Sequence, residues 1–132
     1  MRAVKSKDTK PEMAIRRLTH ALGFRFRLHR KDLPGSPDLV FPARRKVIFV
    51  HGCFWHGHDC TRGARVPQNN RPFWLAKIAR NKARDGKTLA LLTELRWEPL
   101  VIWECELQKQ SAVSAKISRF LNAREPHRNW GL

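Results

Sequence analysis

The stretch from Val47 to Cys60, VIFVHGCFWHGHDC, constrains this chain more than any other. It begins with four consecutive apolar residues, Val47 to Val50, a run that fits a short buried strand. His51, Cys53, His56, His58 and Cys60 follow at once, with Phe54-Trp55 and two glycines between them. A buried strand that runs out into side chains able to bind metal and move protons marks a site at the strand end. Any fold of this chain must bury the first half of the stretch and hold the second half together.

Size and composition narrow the setting. With 132 residues, 42% of them apolar, residues 1–132 are expected to make a single domain with one core. Twenty-seven Lys and Arg against eleven Asp and Glu give a net charge of +16. That excess calls for a polyanionic partner, nucleic acid first and an anionic membrane surface second. No apolar run is long enough to span a bilayer. The opening MRAVKSKDTK lacks the apolar core of a signal peptide, so the cytoplasm is the expected compartment. Three cysteines cannot all pair within one chain, and a reducing compartment favours their use as metal ligands.

Residues 1–8 are basic and polar, expected to be frayed or ordered only on a partner. Thr9 is placed to cap a helix, with Pro11 in its first turn and Glu12 closing a capping box. Ala14, Ile15, Leu18, Ala21 and Leu22 share one helical face, and Gly23 is a natural stop. Residues 24–29 alternate apolar and polar as a strand does, and 30–37 carry the prolines and glycine of a loop. Asp38 opens a second strand, 38–41; a turn at 42–45 leads to the central strand, 46–51. Three consecutive short strands predict a meander. The loop 52–71 is long enough to need something holding it.

Pro72 opens a helix with apolar positions at Phe73, Leu75, Ile78, Leu89 and Leu92, expected to bend or break at Gly86. A buried strand at 97–103 and a helix at 111–121 burying Val113, Ile117 and Phe120 complete the chain. The resulting class is α/β, a mixed central sheet flanked by helices.

Cys53, His58 and Cys60 form a C-x4-H-x-C arrangement, and Cys105 ends the last strand. Three thiolates and an imidazole are the donor set of a closed tetrahedral zinc site, and such soft ligands argue against magnesium or calcium. By spacing alone, His56 is an alternative to His58. Asp38 with His51 and His56 offers a carboxylate for a hard divalent ion and a base for a water nucleophile, the needs of phosphodiester cleavage. Phe54, Trp55 and Trp74 lie among basic residues, where aromatic rings stack on bases or wedge between them. Lys77 and Asn81 are four apart on the same helix, and both residue types read base edges.

Taken together, Met1-Arg2-Ala3, Leu33-Pro34-Gly35-Ser36-Pro37-Asp38, VIFVHGCFWHGHDC, Phe73-Trp74-Leu75 with Lys77-Ile78, Asn81, Arg84-Asp85 and Val101-Ile102-Trp103-Glu104-Cys105 resemble the very-short-patch-repair (Vsr) mismatch endonucleases over roughly residues 1–107. The resemblance implies a PD-(D/E)xK-like, restriction-endonuclease-like fold with a structural zinc. It implies magnesium-dependent nicking of duplex DNA 5′ of the thymine in a T:G mismatch. Asp38 and the backbone carbonyl of Val50 would then hold magnesium, and His56 would be the general base. Glu12 and His51 would orient metal-bound water and phosphate. Cys53, His58, Cys60 and Cys105 would hold zinc; Phe54, Trp55 and Trp74 would intercalate; Lys77 and Asn81 would face the mismatched pair. A monomer is implied, with mismatch-repair proteins as candidate partners.

Val50 stands where the family often has threonine, and Gly57 and Asp59 thin a histidine-rich run. The fold's second acid and lysine are not evident, and the family's minor-groove arm is expected to be absent or shortened before Met1. The alternatives are a non-catalytic, zinc-stabilised nucleic-acid-binding module and a restriction-type nuclease without mismatch preference.

Overall fold

A computed structural model describes residues 9–28, 30–60 and 65–123. The expectations for residues 1–8, His29 and part of the long loop, 61–64, lie outside these, as does the tail beyond residue 123. The chain runs α1 (Lys10–Ala21), β1 (Arg27–Leu28), β2 (Leu39–Phe41), β3 (Lys46–His51), α2 (Arg71–Glu94), β4 (Glu98–Trp103) and α3 (Gln110–Asn122), with single-turn 3-10 segments at Pro42–Arg44 and Glu104–Gln108.

The strands lie in the order β1-β2-β3-β4. The expected meander is present: β1 pairs with β2 and β2 with β3, both antiparallel. β4 returns parallel to β3 after the α2 crossover, with Lys46 opposite Glu98 and His51 opposite Trp103. A parallel partner needs such a crossover, because a short turn cannot reverse the chain twice.

Alternation along the strands builds two cores. Leu39, Phe41, Ile48 and Ile102 pack with Ile15 of α1 and Val113, Ile117 and Leu121 of α3. Val40, Val47 and Phe49 face the other way, onto Leu92, Trp97 and Leu33. A sheet covered on both faces explains why β3 reads as a continuous apolar run. Third in the α3 stripe is Leu121, not Phe120, which is only half-buried.

α1 starts as its sequence predicts. Thr9 Oγ1 accepts the Glu12 N–H at 3.3 Å. Gly23, at φ +90°, ends it by donating to the His20 carbonyl while Phe24 N–H reaches Thr19, the paired closure that favours glycine. β1 is shorter than the alternation of 24–29 predicted, since the strand beside it extends only from Leu39 to Phe41.

One expectation for α2 needs correction. The helix is continuous through Gly86, where an added Cβ would meet nothing within 4 Å. A solvent-side glycine costs about 1 kcal/mol, too little to break a helix anchored on both sides of it by buried Ile78 and Leu92. Of the apolar positions on this helix, Phe73 and Leu75 stand 54% and 45% exposed, while Ile78 and Leu92 are buried. Among the described residues, no helix is long and apolar enough to cross a membrane.

Candidate active site

The site forms where β3 outruns β2. Asp38 N–H donates to the Ile48 carbonyl at 3.1 Å, and the Asp38 carboxylate accepts the Val50 N–H at 2.7 Å. Alternate backbone groups of a strand face the same edge. The Val50 carbonyl therefore points the way the Ile48 carbonyl does, past the end of β2, beside Asp38. A cleft of about 500 Å³ opens there, lined by Asp38, Val50, His51, His56 and, from α2, Arg84 and Asp85, with Lys31 and Ser36 from the loop before β2. Asp38 and His56 thus face one space, as their assignment to one reaction requires.

Two histidines reach the cleft by different routes. His51 ends β3, whereas His56 comes from the tight turn after it, where His56 N–H donates to Gly52 O and His58 N–H to Cys53 O. Gly57 makes this turn possible. Its φ is +66°, and a Cβ there would stand 2.6 Å from both Ile78 Cγ2 and Lys82 Cδ on α2. The glycine is therefore required by backbone and packing together, a role its sequence context did not announce.

The imidazoles of His51 and His56 stack in parallel, centroids 3.8 Å apart and planes 3° apart. His51 is 7% exposed, and its buried Nδ1 has no hydrogen-bond partner among the described residues. Burial first, and the charge of His56 second, lower its pKa to about 4. His51 is consequently a neutral ring near pH 7, fitted to orient rather than to take up a proton.

His56 Nδ1 donates to the Asp85 carboxylate at 2.6 Å. This partner fixes the tautomer and leaves Nε2 with the lone pair a general base needs. His51, His56 and Asp85 lie within metal-binding reach of one another. Stacked rings, however, cannot both aim their in-plane lone pairs at one ion, so the cluster as it stands suits proton transfer better than ligation.

In the sequence Asp85 stands out only beside Arg84 in the family resemblance, with no role attached to it. Helical spacing held the signal: Lys77, Asn81 and Asp85 recur every four residues on one face. Glu12 is different. It is 2% exposed, its carboxylate pairs with Arg16, and it is not among the residues lining the cleft.

Beside the cleft, one ligand atom from each of Cys53, His58, Cys60 and Cys105 falls within 4.8 Å of the others. His58 Nδ1 is 3.6 Å from Cys105 Sγ, which places His58 rather than His56 in this group. Desolvation pushes the Cys53 thiol up to about 12, and the neighbouring thiols add to this. Three crowded thiols are poor neighbours without a cation, and good ligands with one. Trp103 joins the two sites: it stacks on His58 at 4.2 Å and meets His51 edge-on at 5.1 Å. Glu104 secures the start of the turn by accepting the Cys53 N–H at 3.1 Å.

The aromatic residues gather at the cleft's flank. Phe54, Trp55 and Trp74 are half-buried, with ring centroids 5.0 to 5.9 Å apart. Lys77 Nζ stands 5.6 Å over the Trp55 ring, and Asn81 donates to the Trp55 carbonyl at 2.8 Å. Both helix residues therefore converge on Trp55. Phe73 extends the aromatic surface outward, 5.1 Å from Trp74.

This constellation has known counterparts. Residues 1–62 match the family model described as DNA mismatch endonuclease Vsr. The chain is 51% identical over 122 residues to the type II nicking enzyme V.XorIIP of Xanthomonas oryzae pv. oryzae, covering 92% of this chain and 89% of that protein. The chain belongs to the Vsr endonuclease family. It is also 44% identical over 108 residues to the DNA mismatch endonuclease Vsr of Escherichia coli K12, covering 82% of this chain and 69% of that relative. The type II nicking enzyme V.NmeAIP of Neisseria meningitidis serogroup A is 39% identical over 121 residues, covering 92% and 86%. The Vsr fold is restriction-endonuclease-like, in agreement with the mixed sheet and helices described above.

Proposed function

We propose that this Vsr-family endonuclease nicks duplex DNA on the 5′ side of the thymine in a T:G mismatch, acting in very short patch repair. One observation carries the chemistry: the Asp38 carboxylate and the His56–Asp85 pair face a single cleft. A relative at 44% identity bears the name DNA mismatch endonuclease, which supports the choice of substrate. The net charge of +16 suits a polyanion.

In this reading His56 Nε2 takes the proton of the attacking water, and Asp85 stabilises the imidazolium that results. His51, neutral and with an uncommitted Nδ1, orients the water or the phosphate. Asp38 and the Val50 carbonyl fit a hard divalent ion, magnesium in this proposal, because both present oxygen at the same edge of β3. Bound there, the ion supplies Lewis-acid polarisation of the phosphoryl oxygen. Cys53, His58, Cys60 and Cys105 hold a structural zinc that ties the turn carrying His56 to the end of β4. Phe54, Trp55 and Trp74 wedge beside the mismatch, while Lys77 and Asn81 hold Trp55 in place and face the mismatched pair. Glu12, paired with Arg16 on α1, is the other residue proposed to orient metal-bound water and phosphate, although it is not among the residues lining the cleft. The protein acts as a monomer in the cytoplasm, where its thiols stay reduced.

The test compares a T:G duplex with its fully matched counterpart, with and without magnesium. A magnesium-dependent nick 5′ of the mismatched thymine is expected. Equal cutting of both duplexes would favour a nuclease indifferent to mismatches. No cutting of either would leave only a DNA-binding module.

A further inference from the structure

Two basic side chains in the cleft have no task in the mechanism above. Lys31, from the loop before β2, and Arg84, beside Asp85 on α2, both line the space that holds Asp38 and Asp85. Neither forms a hydrogen bond or ion pair with any described residue. Both are exposed, and some other basic residues of the chain are paired. Arg30, adjacent in sequence to Lys31, is held to Asp32 by hydrogen bonds of 2.9 and 2.6 Å. Arg16 and Lys116 likewise pair with carboxylates. The two cations of the cleft remain uncommitted although carboxylates stand in the same cavity.

The chemistry of the cleft makes this useful. A phosphodiester carries a full negative charge, and Asp38 and Asp85 both repel it. A divalent ion at Asp38 would offset part of that repulsion, and cationic side chains lower it further whether or not an ion is bound. The fold's usual lysine is not evident at its place in this sequence. Lys31 arrives instead on the loop side, and Arg84 on the helix side, so the two reach in from different walls.

We propose that Lys31 and Arg84 are a two-sided clamp that seats the scissile phosphodiester between Asp38 and His56. The planar Arg84 guanidinium engages two non-bridging oxygens, and the Lys31 ammonium acts as a point charge on the same group. Both are positioning residues. The inference deepens the proposed function and rests on it for which phosphate is meant.

The experiment is a binding cycle with the full chain, without added magnesium. One partner is a T:G duplex; the other carries a neutral methylphosphonate at the phosphate 5′ of the mismatched thymine. Lys31→Gln and Arg84→Gln should each weaken binding to the natural duplex about five- to tenfold, the effect of one lost charge-assisted contact. Each should also lower the slope of log affinity against log salt by about one. On the methylphosphonate duplex the variants should bind as the wild type does, because the charge they engage is gone. Lys31→Arg should restore binding to the natural duplex.

Penalties of equal size on both duplexes would overturn the clamp, since they would reflect general charge or altered folding. Absence of any penalty would overturn it equally. Failure of the functional reading has a separate signature: wild-type protein that binds the T:G duplex and leaves it intact in magnesium. In that case the same cycle, repeated at each phosphate near the mismatch, still judges the clamp by whether any neutral position erases the variants' penalty.

Discussion

Replacing Asp85 by asparagine tests the arrangement of the site most directly. The Asp85→Asn change keeps the shape of the side chain and removes its charge. The contact at stake is the 2.6 Å hydrogen bond from His56 Nδ1, between side chains 26% and 25% exposed. A bare imidazolium–carboxylate attraction at about 4 Å is worth roughly 4 kcal/mol at an effective dielectric constant of 20. A quarter exposure to solvent weakens it. Net values for hydrogen bonds to charged groups are about 1.5–3 kcal/mol. The imidazolium exists only once His56 has taken the proton, so the loss falls on the transition state. At about 1.4 kcal/mol per decade, the single-turnover nicking rate should drop roughly 10- to 150-fold. Affinity for the duplex should hardly change. In a His56→Ala background the Asp85→Asn change should cost nothing further, because the two residues act as one unit. A rate within about twofold of wild type would refute the assignment. So would an undiminished effect in the His56→Ala background.

Four other outcomes are expected. Asp38→Ala should abolish nicking while leaving DNA binding intact; cutting at the normal rate would remove Asp38 from the metal site. Freshly purified protein should contain one zinc per chain at the cluster of Cys53, His58, Cys60 and Cys105, as read by elemental analysis. Structural zinc sites contribute on the order of 10 kcal/mol, comparable with the whole stability of a small domain. Cys105→Ser should therefore lower the thermal midpoint sharply, and a metal-free protein of equal stability would contradict this. Trp55→Ala should reduce the preference for T:G over matched duplex more than it reduces total binding; an unchanged preference would mean that Trp55 serves packing alone.

Much of the site was legible because its signals are local. β3 announced itself through an apolar run, and the helix cap at Thr9 through residue types at fixed spacing. The thiols and His58 were recognisable as soft donors, and Asp38 as an acid at a strand start. The competition between His56 and His58 was not decidable by spacing. The fold decides it by bringing His58, not His56, to Cys105.

Which face of α2 meets the rest of the molecule was equally hidden. An apolar residue on a helix carries no label for core or surface, so nothing local separates the exposed Phe73 and Leu75 from the buried Ile78 and Leu92. Gly86 looked like a break because local propensity was weighed without the packing at Ile78 and Leu92.

Residue identity and short-range periodicity were enough to give the element types, the donor chemistry and the charge that calls for a polyanion. The partnerships across distance came from folding: Asp85 with His56, Asn81 with Trp55, and Trp103 between the thiol cluster and the stacked histidines. Those pairings arise from how the crossover helix lies against the end of β3. That placement is set by burial over the whole sheet, which no short stretch of sequence encodes.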